Sequence, residues 1–265
     1  MGGRLFVVGG FDGSGNDLAS VAIFDGSAWS AGPPLPVALD HPAVAAMDDG
    51  IYVVGGFNNG TASARVFNLA NGGAAWVELA PLQIARGAAA VVSPIPHRLI
   101  VIGGKKTVAG GEVDYPEIYD TGTQVWAQAP QKMPTPRDHL AGFAYQGLAC
   151  VAGGRAPATS VRVDCVDPSG GTWQTLPDLP VPTSGAGAVA AGSVVTVGGG
   201  EDAGETGIVP TVYRLVNGSW TAEAMFIPRH GFQLVSFGER LWAAGGGVAP
   251  GIHPTADCTS IASGL

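Results

Sequence analysis

The chain has 265 residues, of which 46% are hydrophobic and 13% charged, a balance that excludes intrinsic disorder and supplies a sizeable core. Its net charge of −8, from 13 basic and 21 acidic residues, argues against a nucleic-acid partner, because that binding rests on basic side chains neutralising phosphates; the acidity serves solubility. No apolar run approaches the roughly 18 residues of a membrane helix, and the first apolar phrase follows Arg4 without the two regions of a signal peptide, so no membrane segment or leader is expected and the compartment is left open.

In chain order, the first element is a short apolar run closed by two glycines, Leu5-Phe6-Val7-Val8-Gly9-Gly10. The phrase returns at Ile51–Gly56, Leu99–Gly104, Leu148–Gly154, Val194–Gly199 and Leu241–Gly246, with steps of 46, 48, 50, 45 and 47 residues between first glycines. A near-constant period of this length signals a repeat architecture. The period beginning at Arg137 displays its parts. An apolar stretch, Leu140–Tyr145, turns at Gln146-Gly147 into the double-glycine strand; a variable loop, Arg155–Ser160, leads to Val161–Val166; a turn at Asp167–Gly171 gives Thr172–Leu176. Prolines then punctuate, where a missing N–H costs a sheet nothing. Tryptophans 29, 76, 126, 173 and 220 mark the fourth strand, and Asp25-Gly26 and Asn217-Gly218 are strong hairpin turns.

Four antiparallel strands per period make one twisted blade, whose two apolar faces are buried only when blades stack in a ring. The expected fold is an all-β, six-bladed propeller in one domain, with blades near 3–31, 40–81, 86–130, 137–178, 184–224 and 229–262. The glycines must sit where a Cβ cannot, since a strand-interior glycine costs about 0.5–1 kcal/mol against alanine.

These residues resemble the Kelch repeat: an apolar run ending in Gly-Gly, a third strand with an aromatic residue (Phe24, Phe67, Tyr119, Tyr213), then tryptophan about 20 residues after the glycines. Met133–Arg137 is similar to that family's linker between blades. The resemblance implies a Kelch-type propeller whose loop-bearing face commonly binds peptides or ligands.

The first blade opens on a second strand and the sixth ends on a third, so the count is 22 strands rather than 24. Two readings stand side by side: a ring whose short end blades flank an open seam, and a fragment of a longer chain whose function lies in the missing parts. Of the three cysteines, Cys150 and Cys165 fall on neighbouring strands; free buried thiols are expected over a cross-strand disulfide, since free cysteine is commonly buried.

Strand alternation brings the loops after the glycines and the loops between blades onto one face. Arg86, Arg137 and Arg229 recur there at the head of the first strand, with Asp138, His139, Arg155, Glu201 and His230 nearby. Three arginines at repeated positions suit carboxylate or phosphate groups; alternatively, each pairs with a neighbouring acid or caps a carbonyl. No metal or cofactor is expected. The loop Asp12–Asp17 resembles a calcium loop only faintly, because Ile23 stands where the bidentate glutamate belongs. No nucleophile motif is present, and no catalytic set is legible.

The leading reading is therefore a monomeric, non-catalytic binding module presenting loops on one propeller face to a protein or peptide, or to an acidic small molecule. The alternative is an enzyme of the mutarotase or epimerase kind acting on acidic sugars. Glu201, Asp138 or His139 would then serve as acid or base.

Overall fold

The computed structural model describes residues 3–225 and 227–263. Among them every regular element is a β-strand. Leu5–Val8, Val21–Phe24 and Trp29–Ala31 form a three-stranded first blade. Four-stranded blades follow, opening with Ala43–Met47, Ala90–Val92, Ala141–Tyr145 and Gly187–Ala191. Leu234–Phe237, Arg240–Ala244 and Cys258–Ala262 make a three-stranded sixth blade. Neighbouring strands within the blades pair antiparallel.

The second strand of each blade is apolar at successive positions because it is covered on both faces. In Gly50–Val54, Ile51 and Val53 pack with Val21 of the blade before, while Tyr52 and Val54 pack with Leu99 and Val101 of the blade after. Five such clusters each join two consecutive blades. Outer-strand tryptophans tie blades together as well: the Nε1 groups of Trp76, Trp126 and Trp220 donate to the carbonyls of Pro33, Ala80 and Pro177 in the preceding unit. The two end blades meet through aromatic rings. Phe24 lies 5.2 Å from Trp242 and 6.4 Å from Phe237, so the seam carries direct side-chain contacts where the sequence reading left it open.

The double glycines have a shared structural cause. Gly9, Gly55, Gly103, Gly153 and Gly199 all hold φ between +63° and +70°, a region open to glycine at no steric cost. A Cβ on any of them would lie 2.3–2.6 Å from the carbonyl oxygen of Leu39, Arg86, Arg137, Thr183 or Arg229, respectively, at the head of the next blade. The second glycine of each pair donates its N–H to that same carbonyl, at 2.8–2.9 Å. The fifth pair is thus Gly199-Gly200; Gly198, taken from the sequence as the first glycine, closes the strand Val194–Gly198 instead.

Two features depart from the sequence reading. Cys150 and Cys165 are register partners on adjacent strands and form a disulfide, whereas free thiols were expected; direct cross-strand opposition, with Cα atoms 4.0 Å apart, brings the sulfurs together. Cys258 is free. In addition, hairpins from the loops of the second and third blades, Phe57–Asn58 with Thr61–Ala62 and Lys105–Thr107 with Gly110–Glu112, join through Thr61 and Thr107 into a small separate sheet beside the channel.

Candidate functional site

The site is built from three consecutive positions at the head of each blade. The first is occupied by Leu39, Arg86, Arg137, Thr183 and Arg229. Arg86 donates to the carbonyls of Gly103 and Tyr115, both at 3.2 Å, and pairs with Glu117 at 2.5 Å. Arg137 binds the Gly153 carbonyl at 2.8 Å and pairs with Asp164 at 3.0 Å. Arg229 binds the carbonyls of Gly245 and Asp257 at 2.8 and 2.9 Å, and Thr183 Oγ1 reaches Gly199 in the same manner. The three arginines are 0–1% exposed. They are clamps between strands inside the blades, and the partial ring of ligand-facing arginines is corrected accordingly: all three are enclosed and cap carbonyls, and Arg86 and Arg137 also pair with buried acids. Burial lowers their pKa values, with the nearby acids opposing it.

The second position holds Asp40, Gly87, Asp138, Ser184 and His230. Each forms a backbone bridge to the residue after the second glycine: Phe57, Lys105, Arg155, Glu201 and Gly247, respectively. The third position holds His41, Ala88, His139, Gly185 and Gly231, all with φ between +43° and +65°. A chain of backbone hydrogen bonds links them, from Ala88 to His41, His139 to Ala88, Gly185 to His139 and Gly231 to Gly185, at 2.7–3.2 Å. This inter-blade chain imposes left-handed backbone on two histidines, an uncommon conformation for residues with a side chain, and sets their rings 5.0 Å apart at the channel mouth.

Around these rings lies a connected polar network. His41 Nδ1 meets Asp40 at 2.5 Å, and His139 Nδ1 makes a short contact with Asp138. Arg155 lies 3.4 Å from both Asp138 and Glu201, contacts Glu205, and donates to His139 Nε2 at 3.3 Å. His230 is 3.8 Å from Glu201 and donates through Nε2 to the Ala249 carbonyl. Of the eight residues singled out from the sequence, five come together here: Asp138, His139, Arg155, Glu201 and His230. Arg86, Arg137 and Arg229 do not.

Burial drives the His139 pKa down to about 4, reinforced by the neighbouring His41 and Arg155 and opposed by Asp138. The ring is neutral near pH 7, with Nδ1–H donated to Asp138 and Nε2 accepting from Arg155. Its folded pKa lies below the unfolded value of 6.5, so the unfolded chain binds the extra proton between these limits. The stabilisation is complete above pH 6.5 and is lost as pH falls toward 4, with a limit of about 3 kcal/mol. Urea titrations at stepped pH should display this slope, and a His139→Gln variant should flatten it; an unchanged slope would assign the loss to other groups.

Beside the histidines a cleft of about 420 Å³ opens among the loops of the first three blades. Its walls include Phe11, Asp17, Asp40, His41, Lys105 and Val108. Phe11 and Phe57 meet His41 edge-on, at 5.6 and 6.1 Å. Asp17 accepts the Asn59 N–H at 2.6 Å, and its pKa is raised, first by burial and then by the adjoining Asp40 carboxylate, although Asn59 opposes this. Phe11 and Phe57 were not recognised from the sequence. Their signal was positional: each immediately follows a double glycine.

This architecture defines a six-bladed β-propeller with a polar cluster and a cleft at one mouth of its channel. The Kelch motif family profile matches residues 1–36. Kelch-like protein terF of Aspergillus terreus is 25% identical over 279 residues, covering 95% of this chain and 60% of that protein. Kelch-like protein 35 of Mus musculus is 31% identical over 193 residues, covering 71% of this chain and 32% of that protein. The solved structure of YjhT superposes with a TM-score of 0.83 at 16% identity, covering 100% of this chain and 93% of that one, a likeness of fold. The chain belongs to the Kelch-repeat family, and it spans less than two thirds of either named relative.

Proposed function

We propose that the chain is a binding module that takes a segment of a protein partner on the loop-bearing face at the channel mouth. The observation that carries this reading is the cleft, held by loops of three blades on a scaffold with buried inter-blade cores. Binding residues commonly lie on loops positioned by such a rigid frame. Exposed apolar side chains accompany it, Val108 on a third-blade loop and Val248 and Ile252 on the sixth blade's loop, where Ile252 lies beside Gly15 of the cleft wall. A Val108→Lys/Ile252→Lys variant changes residues that are 56% and 50% exposed, so its thermal stability should match the wild type. Quantitative capture from extract should lose partners that the wild-type chain retains; identical partner lists would remove this face from consideration.

A second reading, proton-transfer catalysis on an acidic sugar, is favoured by the Asp138–His139 pair beside Glu201. It has less support. His139 Nε2, the nitrogen a base would use, already accepts from Arg155, and the arginines that motivated a sugar carboxylate are enclosed. NMR anomer-exchange measurements with sialic and uronic acids from pH 5 to 8 test it, and no acceleration would end it.

A further inference from the structure

Resting on the mouth-face reading, we propose that the cleft selects a cationic side chain, the ammonium of a lysine or the guanidinium of an arginine in the bound segment. The charge at this mouth runs opposite to an anion site. Arg86, Arg137 and Arg229 are enclosed, and Arg155 is committed to Asp138, Glu201 and Glu205. Two carboxylates, Asp17 and Asp40, line the cleft. The lysine that lines it, Lys105, is aimed toward Asp138, with Nζ at 4.0 Å, and His41 lies against Asp40 at 2.5 Å. Repulsion from the Asp40 carboxylate adds to burial in raising the Asp17 pKa. A cation placed between such groups relieves that repulsion, because an opposite charge favours the ionised form.

The walls suit the same group. Phe11 is partly exposed at the cleft, and an aromatic face attracts ammonium and guanidinium heads by its quadrupole. Val108 offers apolar surface for the methylene stem, which long basic side chains bury while the head stays polar. The volume of about 420 Å³ falls within the ~300–1,000 Å³ of ligand cavities. It is far more than one or two waters require, at about 30 Å³ each.

The test uses four peptides, Ac-Ala-Ala-Xaa-Ala-Ala-NH2 with arginine, lysine, norleucine or glutamate at Xaa, and free agmatine, titrated by NMR into the whole chain. The arginine or lysine peptide should bind at least tenfold tighter than the norleucine and glutamate peptides. That advantage should shrink with added salt. It should vanish in Asp17→Asn, which retains an acceptor for the Asn59 N–H, and weaken in Phe11→Leu. Thermal melts establish that both variants fold. Equal binding of the norleucine or glutamate peptide, no binding of any peptide, or an unaltered preference in Asp17→Asn overturns the proposal. Agmatine binding as tightly as the peptides also overturns it, assigning the cleft to free amines. If the Val108→Lys/Ile252→Lys variant loses its partners while Asp17→Asn keeps them all, the mouth face stands and the cation site falls. If neither variant changes the partner list, the mouth-face reading itself falls.

Discussion

Replacing Glu117 with alanine should destabilise the chain by about 3–5 kcal/mol, the loss expected when one member of a buried ion pair is removed. Glu117 is 1% exposed and holds three groups together: the Arg86 guanidinium at 2.5 Å, and the backbone N–H groups of Gln83 and Ile84 at 2.6 and 3.1 Å. Alanine would leave a buried cation without its counter-charge and two donors without an acceptor, and each unmet buried group carries its own desolvation cost. The exposed pair Arg65–Glu78 supplies the control. Its side chains are 41% and 49% exposed, and although Arg65 makes two hydrogen bonds to Glu78, Glu78→Ala should cost no more than about 1 kcal/mol. Urea unfolding midpoints compare the two directly. Equal losses would mean that Glu117 is hydrated in solution and that the clamp is weaker than its geometry. A Glu117→Leu/Arg86→Met double variant should recover much of the loss, since apolar replacement of both partners is often neutral or better.

The same reasoning bears on any binding experiment. An Arg86, Arg137 and Arg229 triple alanine variant would be expected to lose every partner by unfolding, which says nothing of ligand contact. The mouth face is therefore tested at the exposed Val108 and Ile252.

The blades were legible in the sequence because their cause is local and repeated. A strand covered on both faces needs apolar residues at successive positions, so the runs before the glycines identify themselves. The glycine pairs were legible for the same reason, except at Gly198, Gly199 and Gly200, where three glycines in a row leave the register open until the Arg229 carbonyl fixes it. The arginines were placed at the correct position in each blade but not in the correct direction. Whether a side chain at that position turns into the blade or toward the channel depends on Glu117, Asp164 and the glycine carbonyls, which lie 16 to 31 residues away. The cleft was the least legible. Phe11 and Phe57 read as ordinary apolar residues, and Asp17 and Asp40 become neighbours only when the first two blades pack. The small sheet from the second and third blades' hairpins likewise depends on Thr61 meeting Thr107 across two repeats.

Gly55→Ala and Gly245→Ala should differ sharply although both alter the first glycine of a pair. Both positions have left-handed backbone, with φ of +64° and +68°, and that alone costs an alanine about 1–2 kcal/mol. At Gly55 the new methyl would sit 2.3 Å from the Arg86 carbonyl oxygen, a backbone atom fixed by the Gly56 N–H at 2.9 Å. Relief requires the third blade's head to move, and an overpacked site adds about 1–3 kcal/mol. At Gly245 the nearest atom is a Val7 methyl at 3.8 Å, an ordinary contact. Gly55→Ala should therefore lose about 3 kcal/mol or more and Gly245→Ala about 1–2 kcal/mol, read from urea midpoints at constant slope. Similar losses at the two sites would mean that backbone conformation alone explains the repeated glycines. A large difference would assign the first glycine of the first five pairs to the carbonyl of the next blade. The phrase would then encode how one blade accepts its neighbour, and the positions that follow that carbonyl, from Asp40 and His41 onward, would owe their placement at the channel mouth to the same contact.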